Sequence, residues 1–279
     1  MSVSRFIPAR FNRKIPVVPL IRLDGAIGAG ARPGAQGMSD KALAPLIERA
    51  FRKKPAAVAL AINSPGGSPV QSSLIASRIR RLADENNVPV HAFVEDVAAS
   101  GGYWLACAAD DIWADAASVV GSIGVISAGF GLQGFIKKHG IERRMHTAGT
   151  SKSFMDPFAP EKPEDVARLQ SILEPMHQIF KDWVVQRRGE RLAENDELFT
   201  GAFWLAERGQ ELGLVDGIGH AAPKLKEFYG EKVRILPLNI GRPWYRRFGA
   251  GLGAEIGAQA AGALIDSAEE RALWQRYGL

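Results

Sequence analysis

One stretch limits the fold more than any other. Ala56-Ala-Val-Ala-Leu-Ala-Ile62 is seven apolar residues in a row, followed at once by Asn63-Ser-Pro-Gly-Gly-Ser68. A strand with one wet face alternates polar and apolar residues, whereas a continuous apolar run belongs to a strand covered on both faces. Parallel sheets with helices packed on them bury their strands in this way. The neighbouring sequence repeats the theme. Ile15–Leu23 reads as a strand whose prolines suit an edge or a strand start. Ser39 caps a helix to about Lys53, and Ser68 opens another to about Asn86. Val88–Val94 is the next strand, and a further helix opens near Ser100. Strand and helix alternate, so the expected class is α/β with parallel strands.

Beyond Gly140 the pattern gives a strand over Glu142–Thr147, a polar loop, and a long helix from about Pro163. Val166, Leu169, Leu173, Met176, Phe180, Trp183 and Val184 keep the three-and-four spacing of a helix buried on one face. Pro175 inside it should kink it or leave a turn unpaired. Without an internal repeat or low-complexity linker, residues 16–238 read as one domain, 1–15 as a basic N-terminal segment and 239–279 as a helical tail. In the tail, Gly249, Gly253, Gly257 and Ala261 recur every four residues, a small-residue stripe that another helix can approach closely. Ala116–Ile136 runs 21 residues without a charge, long enough to cross a bilayer. Its five glycines, three serines and Gln133 favour buried strand and loop instead.

Charge and cysteine content narrow the function classes. The net charge is +5, but residues 1–14 hold +4 and Arg242, Arg246 and Arg247 another +3, which leaves the body at −2. A duplex-binding protein needs a basic face on its body, so no nucleic-acid partner is expected. The two basic segments fit either solvated tails or peripheral contact with a membrane surface. The N-terminus shows no secretory signal peptide, so the expected location is cytoplasmic or peripheral at a membrane. A single cysteine, Cys107, excludes an intramolecular disulfide framework and a cysteine-based zinc site, and reads as a buried small residue. No cofactor or metal is expected.

Three glycine-rich sites bear on chemistry. In Ser64-Pro-Gly66-Gly67-Ser68, Pro65 fixes one dihedral and two glycines permit positive φ, so backbone N–H groups can point outward beside a helix N-terminus. An oxyanion hole needs that, although an ordinary strand-to-helix turn uses the same residues. In Val97-Ala-Ala-Ser100-Gly101-Gly102-Tyr103, small neighbours leave the Ser100 hydroxyl open at a second corner. A serine there is either a helix N-cap or a nucleophile. The Gly-x-Ser-x-Gly elbow of α/β-hydrolases is absent, because Ala98 stands at its first glycine. Gly129-Phe-Gly131-Leu-Gln-Gly134 matches a dinucleotide pattern in letters, but lies mid-chain rather than after the first strand of a βαβ unit.

A serine nucleophile needs a base. The five histidines (91, 139, 146, 177, 220) are scattered, with His146, at a strand end, the best placed. Lys152 is the stronger candidate, since Phe154, Met155, Pro157 and Phe158 could supply the apolar cover that keeps a lysine neutral. It also fits a surface-loop lysine.

Together these segments resemble the SppA-type signal peptide peptidases, serine–lysine proteases on the ClpP/crotonase fold. The resemblance runs from about Pro19 to Leu214 through Ile-Asn-Ser-Pro-Gly-Gly, Ala-Ala-Ser-Gly-Gly-Tyr, Val-Gly-Ser-Ile-Gly-Val and Gly-Thr-Ser-Lys with Asp-Pro-Phe. It implies a ClpP/crotonase-like layered α/β fold with repeated β-β-α units, in a single-copy form. It implies Ser100 as nucleophile, Lys152 as general base and Ser122 as the hydroxyl that orients the lysine. It further implies Gly66 and Gly101 N–H groups as the oxyanion hole, with Gly67 shaping the turn. The implied substrate is an extended hydrophobic peptide, such as a remnant signal peptide. The implied assembly is a homo-oligomer with active sites between protomers. A crotonase-type acyl-CoA hydratase or isomerase shares the fold and is the alternative, with Glu95 and Asp96 as its only hint.

Overall fold

Three parallel strands form the centre: β1 (Val17–Asp24), β2 (Val58–Ser64) and β3 (Val90–Ala99), with β2 between the other two. The computed structural model describes residues 15–28, 38–149, 151–238 and 271–278. Most of the basic N-terminal segment, the Arg242–Arg247 cluster and the Gly249–Ala261 stripe lie outside them.

The strands alternate with α1 (Asp40–Phe51), α2 (Pro69–Asn86) and α3 (Gly101–Ala106). Ser39 Oγ accepts the Ala42 N–H and Ser68 Oγ accepts the Gln71 N–H, so both expected caps are made. The apolar run of β2 is buried as expected because its alternate side chains enter different layers. Val58, Leu60 and Ile62 meet the helices, with Ile47, Ile75 and Ile79 among their neighbours. Ala57 and Ala59 face the other side, with Val18, Phe93 and Leu225. Each large side chain so buried contributes roughly 1.5–3 kcal/mol.

Among the described residues the sheet has eight strands. β8 (Arg234–Leu238) flanks β1 in parallel. On the opposite side β3 forks. His91–Val94 pair with β4 (Asp111–Ala114), while Val97–Ala99 pair with β5 (Val119–Gly121). β6 (Phe203–Leu205) joins β5 antiparallel, and β7 (Gly217–Ile218) joins β4 in parallel. On the face away from α1–α3, α7 (Ala221–Tyr229) brings Leu225 over one part. The short segment 271–278 brings Trp274 and Tyr277 over Val97, Ala99 and Val119. α6 (Ala206–Glu211) follows β6 directly. The expected α/β class and layered, mostly parallel sheet are the architecture found.

The sequence misleads in one region. Residues 142–147 form no strand and are exposed, since among the described residues no sheet edge lies beside them to supply hydrogen bonds. Of the described residues between β5 and the long helix, only the short α4 (Gln133–Lys138) is regular, and none of its residues is buried. The second half of the uncharged 116–136 run is likewise exposed, with Ile126, Phe130 and Phe135 outward. α5 (Pro163–Arg188) runs on through Pro175. Its apolar face is buried only at the C-terminal end, at Phe180 and Val184, and no described residue from 126 to 179 is buried. Residues 125–162 with the first turns of α5 therefore form an exposed arm.

Candidate active site

The corner after β3 is held in an uncommon backbone state. Ser100 has φ +52° and ψ −121°, a conformation that costs an L-residue roughly 1–3 kcal/mol unless its surroundings impose it. They do so here. The Ser100 N–H donates to the Gly121 carbonyl at 2.9 Å, and its carbonyl accepts the Trp104 N–H at 3.0 Å. Ser100 stands at the N-cap position of α3, yet its side chain makes no capping bond. Of the two roles the sequence left open, the capping role is therefore unfilled.

The first glycine turn packs directly against this corner. A Cβ on Gly66 (φ +105°) would lie 2.8 Å from Ser100 Cβ and 2.9 Å from the Gly101 nitrogen, so only glycine fits. Gly67 is required for another reason, because a side chain there would run into the Ile27 carbonyl. The Ile27 N–H donates to Gly66 O at 2.8 Å and Ser68 N–H to Ile27 O at 2.7 Å, which pins the turn. Gly101, the first residue of α3, has no partner within its helix for its N–H. The Gly66 N–H reaches Ser64 Oγ at 3.3 Å, near the long limit of a hydrogen bond, while Ser64 Oγ donates to Gly25 O at 2.7 Å. Donors placed this way beside a serine hydroxyl can hold a developing oxyanion.

Ser122 lies across the β3–β5 pair. It follows Gly121, the partner of Ala99, as Ser100 follows Ala99. Its backbone is also left-handed, at φ +54°, and it is 2% exposed. The Ser122 N–H donates to Ala202 O at 2.7 Å, and Ser122 Oγ accepts the phenol of Tyr277 at 3.1 Å. A pocket of about 80 Å³ opens at Ser100, walled by Gly67, Pro69, Trp104, Val125, Ile126 and Phe180. Trp104 and Phe180 stack at 4.6 Å, and His177 Nε2 donates to Ile123 O at 3.0 Å, tying α5 to the chain just past Ser122.

The other predicted residues are elsewhere. Lys152 is exposed on the arm, in a turn where its N–H donates to Gly149 O at 3.3 Å. Among the described residues, no hydrogen bond joins its side chain to Ser100 or Ser122. The expected apolar cover faces arginines instead: Phe154 lies under Arg168, and Phe158 under Arg143. His146 is exposed in the segment that forms no strand. His91, by contrast, is bound on both sides, Nδ1 to Asp111 at 2.8 Å and Nε2 to the Tyr229 hydroxyl at 2.7 Å. Glu95 pairs with Arg22 at 2.5 Å, and Asp96 accepts from Asn63 at 2.7 Å. Both line a separate hollow with Asp115 and His220, not the pocket at Ser100. Gly129, Gly131 and Gly134 stand in open space. Cys107 is fully buried, and burial pushes its thiol up to about 12.

Sequence reasoning missed Tyr277, His177 and Trp104. Trp104 carried a signal, four residues after Ser100 and hence on its side of α3. The others reach the site across 155 and 54 residues, and no local pattern marks such contacts.

Fold and corner define an α/β protein with a strained serine held against two glycine turns. The profile of peptidase family S49 matches residues 83–228, and the chain belongs to that family. The chain is 46% identical, over 99% of its length, to a Brucella melitensis protein named Na(+)/H(+) antiporter NhaA, of which it covers 39%. It is 30% identical over 72% of its length to the chloroplastic serine protease SPPA of Arabidopsis thaliana, covering 30% of that protein. With the probable protease SohB of Haemophilus influenzae the identity is 32%, over 69% of this chain and 54% of the relative. The chain thus spans between about a third and a half of these relatives.

Proposed function

We propose that this chain is a serine peptidase in which Ser100 and Lys152 act as a dyad on extended hydrophobic peptides. The observation that carries the reading is the Ser100 corner: a strained, uncapped serine inside the matched family region, with Gly66 packed against it. The neutral Lys152 amine takes the Ser100 proton as Oγ attacks the peptide carbonyl carbon. The Gly66 and Gly101 N–H groups hold the resulting oxyanion. The tetrahedral intermediate collapses by breaking the C–N bond, and the leaving amine takes the proton from Lys152. Lys152 then removes a proton from water as it attacks the acyl-enzyme carbonyl; the Oγ–C ester bond breaks, and Ser100 Oγ takes the proton back from Lys152. Ser122 orients the lysine. The apolar walls of the pocket at Ser100 fit a small apolar side chain, which supports a hydrophobic substrate.

Lys152 reaches a neighbouring Ser100 in this reading, so the site is completed between protomers. The arm supports it. Phe130 is 85% exposed, and Ile126, Phe135, Ile141 and Ile179 are also outward, a concentration of apolar surface that a lone chain rarely shows to water. Peripheral membrane contact through residues 1–14 and Arg242–Arg247 rests on their charge. No helix among the described residues is long and apolar enough to cross a membrane.

Co-expression of Ser100→Ala with Lys152→Ala tests dyad and sharing together. Each variant alone should be inactive on a hydrophobic peptide. Mixed assemblies should regain part of the activity, because some interfaces hold both native residues. Failure of the mixture to recover would remove the shared site, and activity in either single variant would remove the dyad.

A further inference from the structure

We infer that Tyr277 is a positioning residue for this chemistry, acting through Ser122; the inference rests on the proposed Ser100–Lys152 dyad. Tyr277 lies outside the matched family region, 155 residues beyond Ser122, and nothing in the sequence connects the two. In the fold they touch: the Tyr277 hydroxyl donates to Ser122 Oγ at 3.1 Å in a buried contact.

The chemistry of a hydroxyl gives that contact a direction. A serine has one proton to donate and two lone pairs with which to accept. Once the Tyr277 phenol occupies one lone pair, the hydroxyl rotor of Ser122 is no longer free, and its proton is directed away from Tyr277. A neutral lysine amine needs its one lone pair for the Ser100 proton, so the side chain that holds it in place must accept one of its N–H bonds. Ser122 Oγ keeps a second lone pair for that bond, and Tyr277, donating to the first, fixes the side of the oxygen that the amine meets.

Tyr277 is itself held firmly. It is 8% exposed, packs on Val97, Ala99 and Val119, and meets the Phe203 ring edge-on at 5.1 Å. Val97 and Ala99 belong to β3, which leads into Ser100, Val119 to β5, which leads into Ser122, and Phe203 to β6, the partner of β5. One aromatic side chain therefore rests on β3, β5 and β6 together. Ser122 is fixed in turn by its N–H bond to Ala202 and its left-handed backbone.

The test is the full chain carrying Tyr277→Phe, which keeps the ring packing and deletes only the hydroxyl. Peptide cleavage should show kcat lowered about tenfold, the size of one lost hydrogen bond, with KM little changed. The acidic limb of the rate–pH profile should move to higher pH, because Ser122 Oγ, relieved of the phenol, becomes a better acceptor and favours the charged ammonium. Tyr277→Phe added to Ser122→Ala should cost nothing beyond Ser122→Ala, since the two act as one chain. Added phenol, but not toluene, should restore rate to Tyr277→Ala, which keeps the question open to test if packing suffers. Unchanged kcat in Tyr277→Phe, or additive losses in the double variant, would overturn the inference. So would a rise in kcat, which would make the phenol a stopper over Ser122. Ser100→Ala and Lys152→Met run alongside: residual activity in either breaks the dyad itself, whereas their inactivity with a fully active Tyr277→Phe breaks only the role of Tyr277.

Discussion

The Ser100 corner and the arm that carries Lys152 are neighbours in sequence and opposites in construction. The corner is closed: Ala99, Gly101, Tyr103 and Trp104 are buried, and the backbone is tied to Gly121 and pressed on by Gly66. The arm is open, with no buried residue from 126 to 179 among those described and Phe130 and Phe135 in water. A corner of this kind is finished within one chain. An arm of this kind leaves apolar surface uncovered among the described residues. In the proposed mechanism the nucleophile and oxyanion donors belong to the closed part and the base to the open one.

Three interventions press on that contrast. Gly66→Ala attacks the closed side and should have the largest effect. The new methyl would lie 2.8 Å from Ser100 Cβ on a backbone at φ +105°. It should cost roughly 10²–10³ in rate through the oxyanion donor, and roughly 1–3 kcal/mol of stability through strain, read by cleavage kinetics and thermal melting. A fully active Gly66→Ala would show that the corner is not as closed as its geometry requires. Phe130→Ser with Phe135→Ser attacks the open side. Activity should fall with the assembled fraction measured by light scattering, while the melting temperature of the body moves by no more than about 2 °C, as for other exposed substitutions. A large drop in melting temperature would mean that the arm packs on its own chain. The smallest effect is a labelling difference. Cys107, fully buried and with its thiol pushed up to about 12 by burial, should resist iodoacetamide at pH 8 in the folded chain. A cysteine introduced by Ser151→Cys should react at once, and more slowly at concentrations where chains assemble. Rapid labelling of Cys107 would erase the distinction between the two regions.

The closed region was the legible one. The apolar run of β2, the caps at Ser39 and Ser68, and the two glycine turns could each be read locally, because each expresses a local rule: two-sided burial, an orphan N–H, a positive φ. Ser100 was legible as a corner residue with two possible roles, and its missing cap bond was not. The arm misled because periodicity reports a tendency to be buried and says nothing about what does the burying. Val166, Leu169 and Leu173 keep helical spacing, yet they stay outside the core that Phe180, Trp183 and Val184 meet. A strand over 142–147 needed a neighbouring edge that the described residues do not offer. Tyr277 was invisible for the opposite reason. Its partner is fully determined, but 155 residues away.

Ser100 and Ser122 share one further property: both hold backbone angles that glycine adopts without strain. Two L-residues facing each other across a strand pair in this state make the molecule less stable than it could be. A glycine at either place would keep the turn and relieve the backbone, and would delete a hydroxyl. Serine at these two positions therefore carries a standing cost in stability, and a chain with glycine at either should melt higher than this one.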